Sequence, residues 1–202
     1  PERELAQQFG TSRNAVREAL RSLEHAGLIS MHKGAHGGAF ITDGDPSAVA
    51  QSMEDLMYLG GIALADVTES RLSIETAIVE FAATKGTTAD FDRLDQNIDQ
   101  VEELTQARDM EAKTDLNIEF HVLLAEATGN PVLVLMMRTL MDLLRAVHRP
   151  ITAEDTVDII KSRRQFMQLL RNREVAPATA EMKDHLSRLH ELFSRPKTPN
   201  SG

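Results

Sequence analysis

The sequence predicts a mainly α protein in two parts: an N-terminal winged helix-turn-helix and a C-terminal antiparallel all-α bundle of about six to seven helices. Three observations carry this. Residues 1–42 hold two short amphipathic segments that meet at Gly10, followed by a glycine-rich hairpin. From Ser47 to about Ser194 apolar residues recur at helical spacing, with no strand-like alternation. The composition is rich in Ala, Leu, Glu and Met, aromatic residues make up 4% and Trp is absent, which favours helix.

In the first helix Leu5, Ala6 and Phe9 form an apolar stripe that Gly10 terminates. Ser12 is placed to cap a second helix, in which Val16, Leu20 and Leu23 recur at i, i+4 and i+7. Its opposite face carries Arg13, Asn14, Arg17 and Arg21. Gly27 ends it, Leu28-Ile29 starts a strand, residues 33–38 form the tip, and Ala39-Phe40-Ile41 returns. Arg13 and Arg17 stand one helical turn apart beside a short polar residue, just after the turn, where a recognition helix meets base edges and phosphates. The plain alternative is a helical hairpin with arginines on its solvated face.

Residues 44–48 read as a linker, Asp45-Pro46-Ser47 supplying a turn, a proline and an N-cap. The helices expected after it span Ser47–Leu59, Leu64–Lys85, Ala89–Ala107, Asp109–Thr128, Pro131–His148, Ala153–Asn172 and Val175–Phe193. Leu72, Ile74, Ile78, Phe81 and Ala82 mark the buried side of the second, and Phe91, Leu94, Ile98, Val101 and Leu104 that of the third. The fourth buries Leu116, Phe120, Leu123, Leu124 and Ala127, with Asn117 and His121 beside that stripe and four residues apart, so both side chains point the same way. The organisation is therefore a head at 1–43, a linker at 44–48, a helical body at 49–195 and a disordered tail at 196–202.

ERELAQQFGTSRNAVREALRSLEHAGLI resembles the winged-helix domain of the GntR superfamily of bacterial transcriptional regulators. The body resembles the ligand-binding domain of the FadR branch through Arg71-x-x-x-Glu75, Asn117-x-x-x-His121 with Leu-Leu-Ala-Glu-Ala-Thr-Gly-Asn close behind, and Glu181-Met-Lys-Asp-His185-Leu. The resemblance implies DNA contacts from Arg3, Ser12, Arg13, Asn14 and Arg17, and minor-groove contacts from Lys33 and Gly34 of the wing. It also implies a further helix of the head before Pro1, so the head reads as N-terminally truncated. Function follows as an expectation: a cytoplasmic regulator, a repressor by family habit, acting as a homodimer on a palindromic double-stranded operator. Its effector would be a small organic acid or other anion.

The resemblance also implies a divalent metal such as zinc or nickel, held by an Asp or Asn and three His. Asn117, His121 and His185 fill three of those positions, but the fourth, 22 residues before His185, is Arg163. A guanidinium cannot be a ligand, since it stays protonated and only donates. Two readings stay open: the three remaining groups hold a metal with waters, or Arg163 replaces the metal's charge and pairs with the effector, with Arg71 as a second anion contact. The ordinary alternatives are an Arg71 that only pairs with Glu75 and a His121 that is a satisfied core histidine. His25 suits a helix C-terminus, His36 lies at the wing tip where DNA passes, and His148 and His190 have no partner at useful spacing.

The net charge of −9 argues against nucleic acid only when read globally. Residues 1–42 carry five basic side chains against four acidic ones, so the acidic excess belongs to the body. A head so weakly basic calls for two copies on one operator. No run of about 18 apolar residues predicts a membrane span, and Cys is 0, so disulfides play no part. The rival function is a helical metal-dependent hydrolase with a nucleic-acid-binding head. Against it, there is no HExxH, no His-Asp dyad and no cysteine nucleophile.

Overall fold

The computed structural model describes residues 2–34, 37–42, 47–107, 109–147 and 153–194. The linker turn at 43–46, His36, His148 and the tail at 196–202 fall outside them. The chain divides into two compact units, Pro1–Leu56 and Met57–Gly202.

The first unit contains α1 (Glu2–Gln8), α2 (Arg13–His25), β1 (Ile29–His32), β2 (Gly38–Ile41) and most of α3 (Ser47–Tyr58), whose last two residues belong to the second unit. Gly10 takes a left-handed φ of +61° at the turn, which a side chain with a Cβ adopts at a cost. Ser12 then caps α2, its hydroxyl accepting from the Ala15 amide at 3.1 Å. The strands pair antiparallel, Ile29 opposite Ile41 and His32 opposite Gly38. Ala6 and Val16 are buried as the periodicity predicts, but Phe9 lies just past the end of α1 and is 71% exposed, and Leu23 is exposed too.

The second unit is an all-helical bundle of α4 (Leu64–Lys85), α5 (Thr88–Ala107), α6 (Met110–Glu126), α7 (Pro131–Val147), α8 (Ala153–Arg171) and α9 (Val175–Ser194). Local sequence starts and stops these helices. Thr87 and Asp90 cap α5 reciprocally, each side chain accepting from the other's amide at 3.2 and 2.8 Å. Asp109 caps α6 through the Ala112 amide at 3.1 Å. Gly129, at φ +66°, turns the chain after α6, and Pro131 opens α7 where its missing N–H costs nothing. Arg173 closes α4 from outside, donating to Ala83 O at 2.9 Å and Gly86 O at 2.7 Å.

Helix α4 is the centre of the bundle and packs on α6, α7, α8 and α9; α5 lies against α6 and α8. Phe91, Leu94, Ile98 and Val101 of α5 are buried, and so are Phe120, Leu123 and Leu124 of α6 and Ala127 just after it, while Leu104 and Leu116 are half-buried. The face of α4 departs from the pattern. Phe81 is 43% exposed, whereas Val67, Arg71, Glu75, Ile78, Val79, Ala82 and Ala83 are buried. Because α4 has neighbours on several sides, its buried surface exceeds a single stripe, and two charged residues fall inside it.

Leu94 is wholly buried between α5 and its neighbours, so Leu94→Ala is expected to cost about 2–5 kcal/mol of stability. Chemical denaturation followed by circular dichroism measures this.

Candidate functional site

Two sets of side chains carry the chemistry, one in each unit. In the head, Arg13 and Asn14 occupy the first turn of α2, Arg17 the next, and all three are exposed. Capping uses the Ser12 oxygen as an acceptor, which leaves its O–H as a donor. The Arg17 guanidinium is held by Glu2 at 3.3 Å, an exposed pair that a phosphate can displace. Arg3 and Lys33 are exposed, and Gly34 has a φ of +120° at the wing tip.

In the bundle, four helices bring Arg71 and Glu75 (α4), Asn117 and His121 (α6), Arg163 (α8) and His185 (α9) into one buried polar cluster. Helical spacing puts Arg71 and Glu75 on one face of α4, where Arg71 Nε donates to Glu75 Oε2 at 3.0 Å. His121 sits between these two groups: Nδ1 bonds Glu75 Oε1, and Nε2 lies 2.9 Å from Arg71 Nη2. A neutral ring protonated on Nδ1 satisfies both contacts, donating to the carboxylate and accepting from the guanidinium. Arg163 donates through Nη1 to Asn117 Oδ1 at 2.8 Å and through Nη2 to Asn117 O at 3.0 Å. Its guanidinium lies over the Phe120 ring, 4.2 Å from the centroid. His185 stacks against His121 with ring centroids 6.1 Å apart.

Burial alone would raise the Glu75 carboxyl, but the charges of His121 and Arg71 and their hydrogen bonds outweigh it and hold it at about 2. Burial pushes His121 down to about 4 against the pull of Glu75, helped by the positive charge of Arg71. Burial and then Arg163 depress His185 well below the usual histidine value. Burial also lowers Arg163, to about 9, opposed by Glu75 and reinforced by Arg71. At neutral pH the cluster therefore holds one carboxylate, two guanidiniums and two neutral imidazoles. It carries a surplus positive charge.

All five residues expected around an effector, Arg71, Asn117, His121, Arg163 and His185, thus lie together. The three proposed metal groups do not fit a divalent cation. Asn117 Oδ1 is taken by Arg163, and His121 has Glu75 on one nitrogen and Arg71 on the other, so both would have to exchange a donor for a metal. Among the described residues, the buried polar atoms of the cluster without a partner are His185 Nε2, Asn117 Nδ2 and Arg163 Nε. Among the described residues no three His, Asp or Glu side chains gather as a cation site.

Sequence reasoning treated Glu75 only as a partner for Arg71, although it is the hub. The available signal was an Arg and a Glu four apart on the same face as Ile78 and Ala82. It also missed Lys113, wholly buried one turn before Asn117, and a cavity of about 360 Å³ between α4, α7 and α9. Arg71 is the one member of the cluster that lines this cavity, and His190, expected to be idle, lines it as well and is itself engaged in a contact.

Residues 1–41 match the gntR family of bacterial regulatory proteins, and residues 66–188 match the FCD domain. The Uxu operon transcriptional regulator of Escherichia coli is 33% identical over 139 residues, 68% of this chain and 52% of that protein. The transcriptional repressor NanR of Cronobacter sakazakii is 30% identical over 160 residues, 78% of this chain and 60% of that one. The chain spans little more than half the length of such curated relatives. A solved GntR protein from Streptococcus agalactiae superposes with a TM-score of 0.68 at 22% identity, covering 95% of this chain and 88% of that one, and so shares its fold.

Glu75→Gln removes the one carboxylate and leaves two buried guanidiniums facing each other's charge. The expected loss is about 3–5 kcal/mol, the range for breaking a buried pair by deleting one partner. Urea unfolding of the variant beside the parent gives the number.

Proposed function

The chain belongs to the gntR family of bacterial regulatory proteins and carries an FCD domain behind its winged head; from that premise we propose that it is a DNA-binding transcriptional repressor whose operator affinity is set by a small anionic metabolite. The observation that carries the DNA half is the start of α2, where Ser12 caps the helix and Arg13, Asn14 and Arg17 stand exposed in its first two turns. In this reading residues 1–43 are the head and 49–195 the effector-binding and dimerising body, joined by 44–48. Arg13 and Arg17 reach base edges and phosphates in the major groove, with Ser12, Asn14 and Arg3 beside them. Lys33 and Gly34 of the wing approach the minor groove.

The surplus positive charge of the buried cluster supports an anionic effector, because burying a charge without a partner is costly. Arg71, Asn117, His121, Arg163 and His185 are the proposed effector contacts. An effector that pairs better with one arrangement of α4, α6, α8 and α9 than with another shifts the spacing of two heads in a homodimer, and with it the affinity for a palindromic site. Among the described residues no helix is long and apolar enough to cross a membrane; the proposed place of action is the cytoplasm. The family places the chain among regulators and not among hydrolases.

The experiment is binding of the full chain to duplexes selected from a random pool. Arg13→Ala and Arg17→Ala are each expected to cost about 1–3 kcal/mol of specific binding at matched salt. Binding as tight as the parent's by both variants would overturn the assignment of α2. Light scattering without DNA is expected to give twice the chain mass of 22.4 kDa, and the single-chain mass at micromolar concentration would contradict the homodimer.

A further inference from the structure

We propose that Glu2 of α1 is a specificity-determining residue of the head: its carboxylate holds Arg17 so that the guanidinium reads a guanine and is kept from phosphates. The proposal rests on the DNA-binding reading above and names the base that is read and the residue that selects it.

The two arginines at the start of α2 are held differently. Arg13 is exposed, and among the described residues no hydrogen bond or ion pair fixes it. Arg17 is clamped by a residue of the preceding helix: its Nε and Nη2 both donate to Glu2 Oε2, at 3.4 and 3.3 Å. That contact uses one side of the guanidinium fork. Nη1 and the second Nη2 hydrogen are left, and among the described residues Nη1 has no partner.

Two N–H groups side by side on two nitrogens match the O6 and N7 acceptors of guanine in the major groove. Adenine sets an amino donor beside its N7 and fits the fork badly. Charge then separates guanine from the backbone. Guanine is neutral, so the Glu2 carboxylate does not oppose it. A phosphate that approaches Arg17 meets the same carboxylate, and must displace it or bear its repulsion. Side chains 45% and 27% exposed make this a weak pair, so phosphate displaces Glu2 at a cost and is not shut out. An arginine already held also loses less rotamer freedom when it meets a base. Glu2 therefore weakens binding to all duplexes, and weakens it least where a guanine stands under Arg17.

The test is random-pool selection and titration with the full chain and with Glu2→Gln, which keeps the shape of the side chain and removes its charge. Affinities are taken on the selected duplex and on a scrambled one of equal length, over a series of salt concentrations. The parent is expected to select a guanine at the position whose preference Arg17→Ala relaxes, and Glu2→Gln should relax that same position. Glu2→Gln should also bind the scrambled duplex more tightly and with a steeper salt dependence, so that the ratio of selected to scrambled affinity falls about threefold or more. The gain on the scrambled duplex should shrink in an Arg17→Ala background, where the carboxylate has nothing to hold. Another base at that position, an unchanged preference in Glu2→Gln, an equal gain or a loss on both duplexes, or a gain of the same size without Arg17 would each overturn the proposal. A parent that selects no duplex overturns the regulator reading together with this inference; a parent that selects one while Glu2→Gln behaves identically overturns this inference alone.

Discussion

One buried carboxylate constrains the whole bundle. Glu75 lies on the central helix with no exposed surface and is the only buried acidic residue among those described. Ionised and unpaired it would cost several kcal/mol, so its neighbours must be basic and closely placed. Arg71 supplies one contact from the same helix, and His121 supplies the other from α6. The second nitrogen of His121 then accepts from Arg71, so ring orientation and tautomer are both set by α4. Arg163 meets Asn117 one turn earlier on α6 and ties in α8. Packing of leucines and alanines brings these helices together, but the register in which they meet is the one that satisfies this chain of donors and acceptors.

The helices themselves were legible because their signals are local. The Ser12 cap, the glycine at 10 and the proline at 131 fall where the chain turns, and Phe91, Leu94, Ile98 and Val101 of the α5 stripe are buried as their spacing implies, while Leu104 is half-buried. Central position was not legible. A helix packed on four others buries residues all around, so the stripe reasoning that works for α5 misplaced Phe81 and overlooked Glu75 as a hub. The meeting of Arg71, Asn117, His121, Arg163 and His185 was expected only from resemblance, because their mutual distances depend on tertiary packing. The cavity was invisible for a related reason: Leu72, Leu144, Leu186 and Leu189 read as ordinary core residues until the helices are placed.

Head and body meet opposite demands. The head keeps the side chains proposed to meet DNA in water: Arg3, Arg13, Asn14, Arg17 and Lys33 are exposed, and the Arg17–Glu2 pair is of the weak surface kind. In the proposed reading phosphates and base edges exchange there for water or for Glu2 at little cost. The body buries its charges, where each one must be answered by a partner and where removal of any one is felt by the others. In the proposed reading the cluster gains from that stringency, because a ligand that completes the charge balance changes the stability of a particular helix arrangement.

Arg163, which fills the position where the resemblance leads one to expect a histidine ligand, binds Asn117 instead, and in the proposed reading the site serves an anion and not a metal. The Arg163 guanidinium brings a positive charge into the cluster without needing deprotonated ligands. Arg71 lies against His121 Nε2 at 2.9 Å, which leaves that nitrogen engaged. The most direct measurement is a crystal structure of the full chain grown with zinc, with anomalous data collected above the zinc edge. The account predicts no anomalous peak in the cluster, with Arg163 on Asn117 and Arg71 on His121. A peak bonded to His121 and His185, with Arg163 turned away, would contradict it.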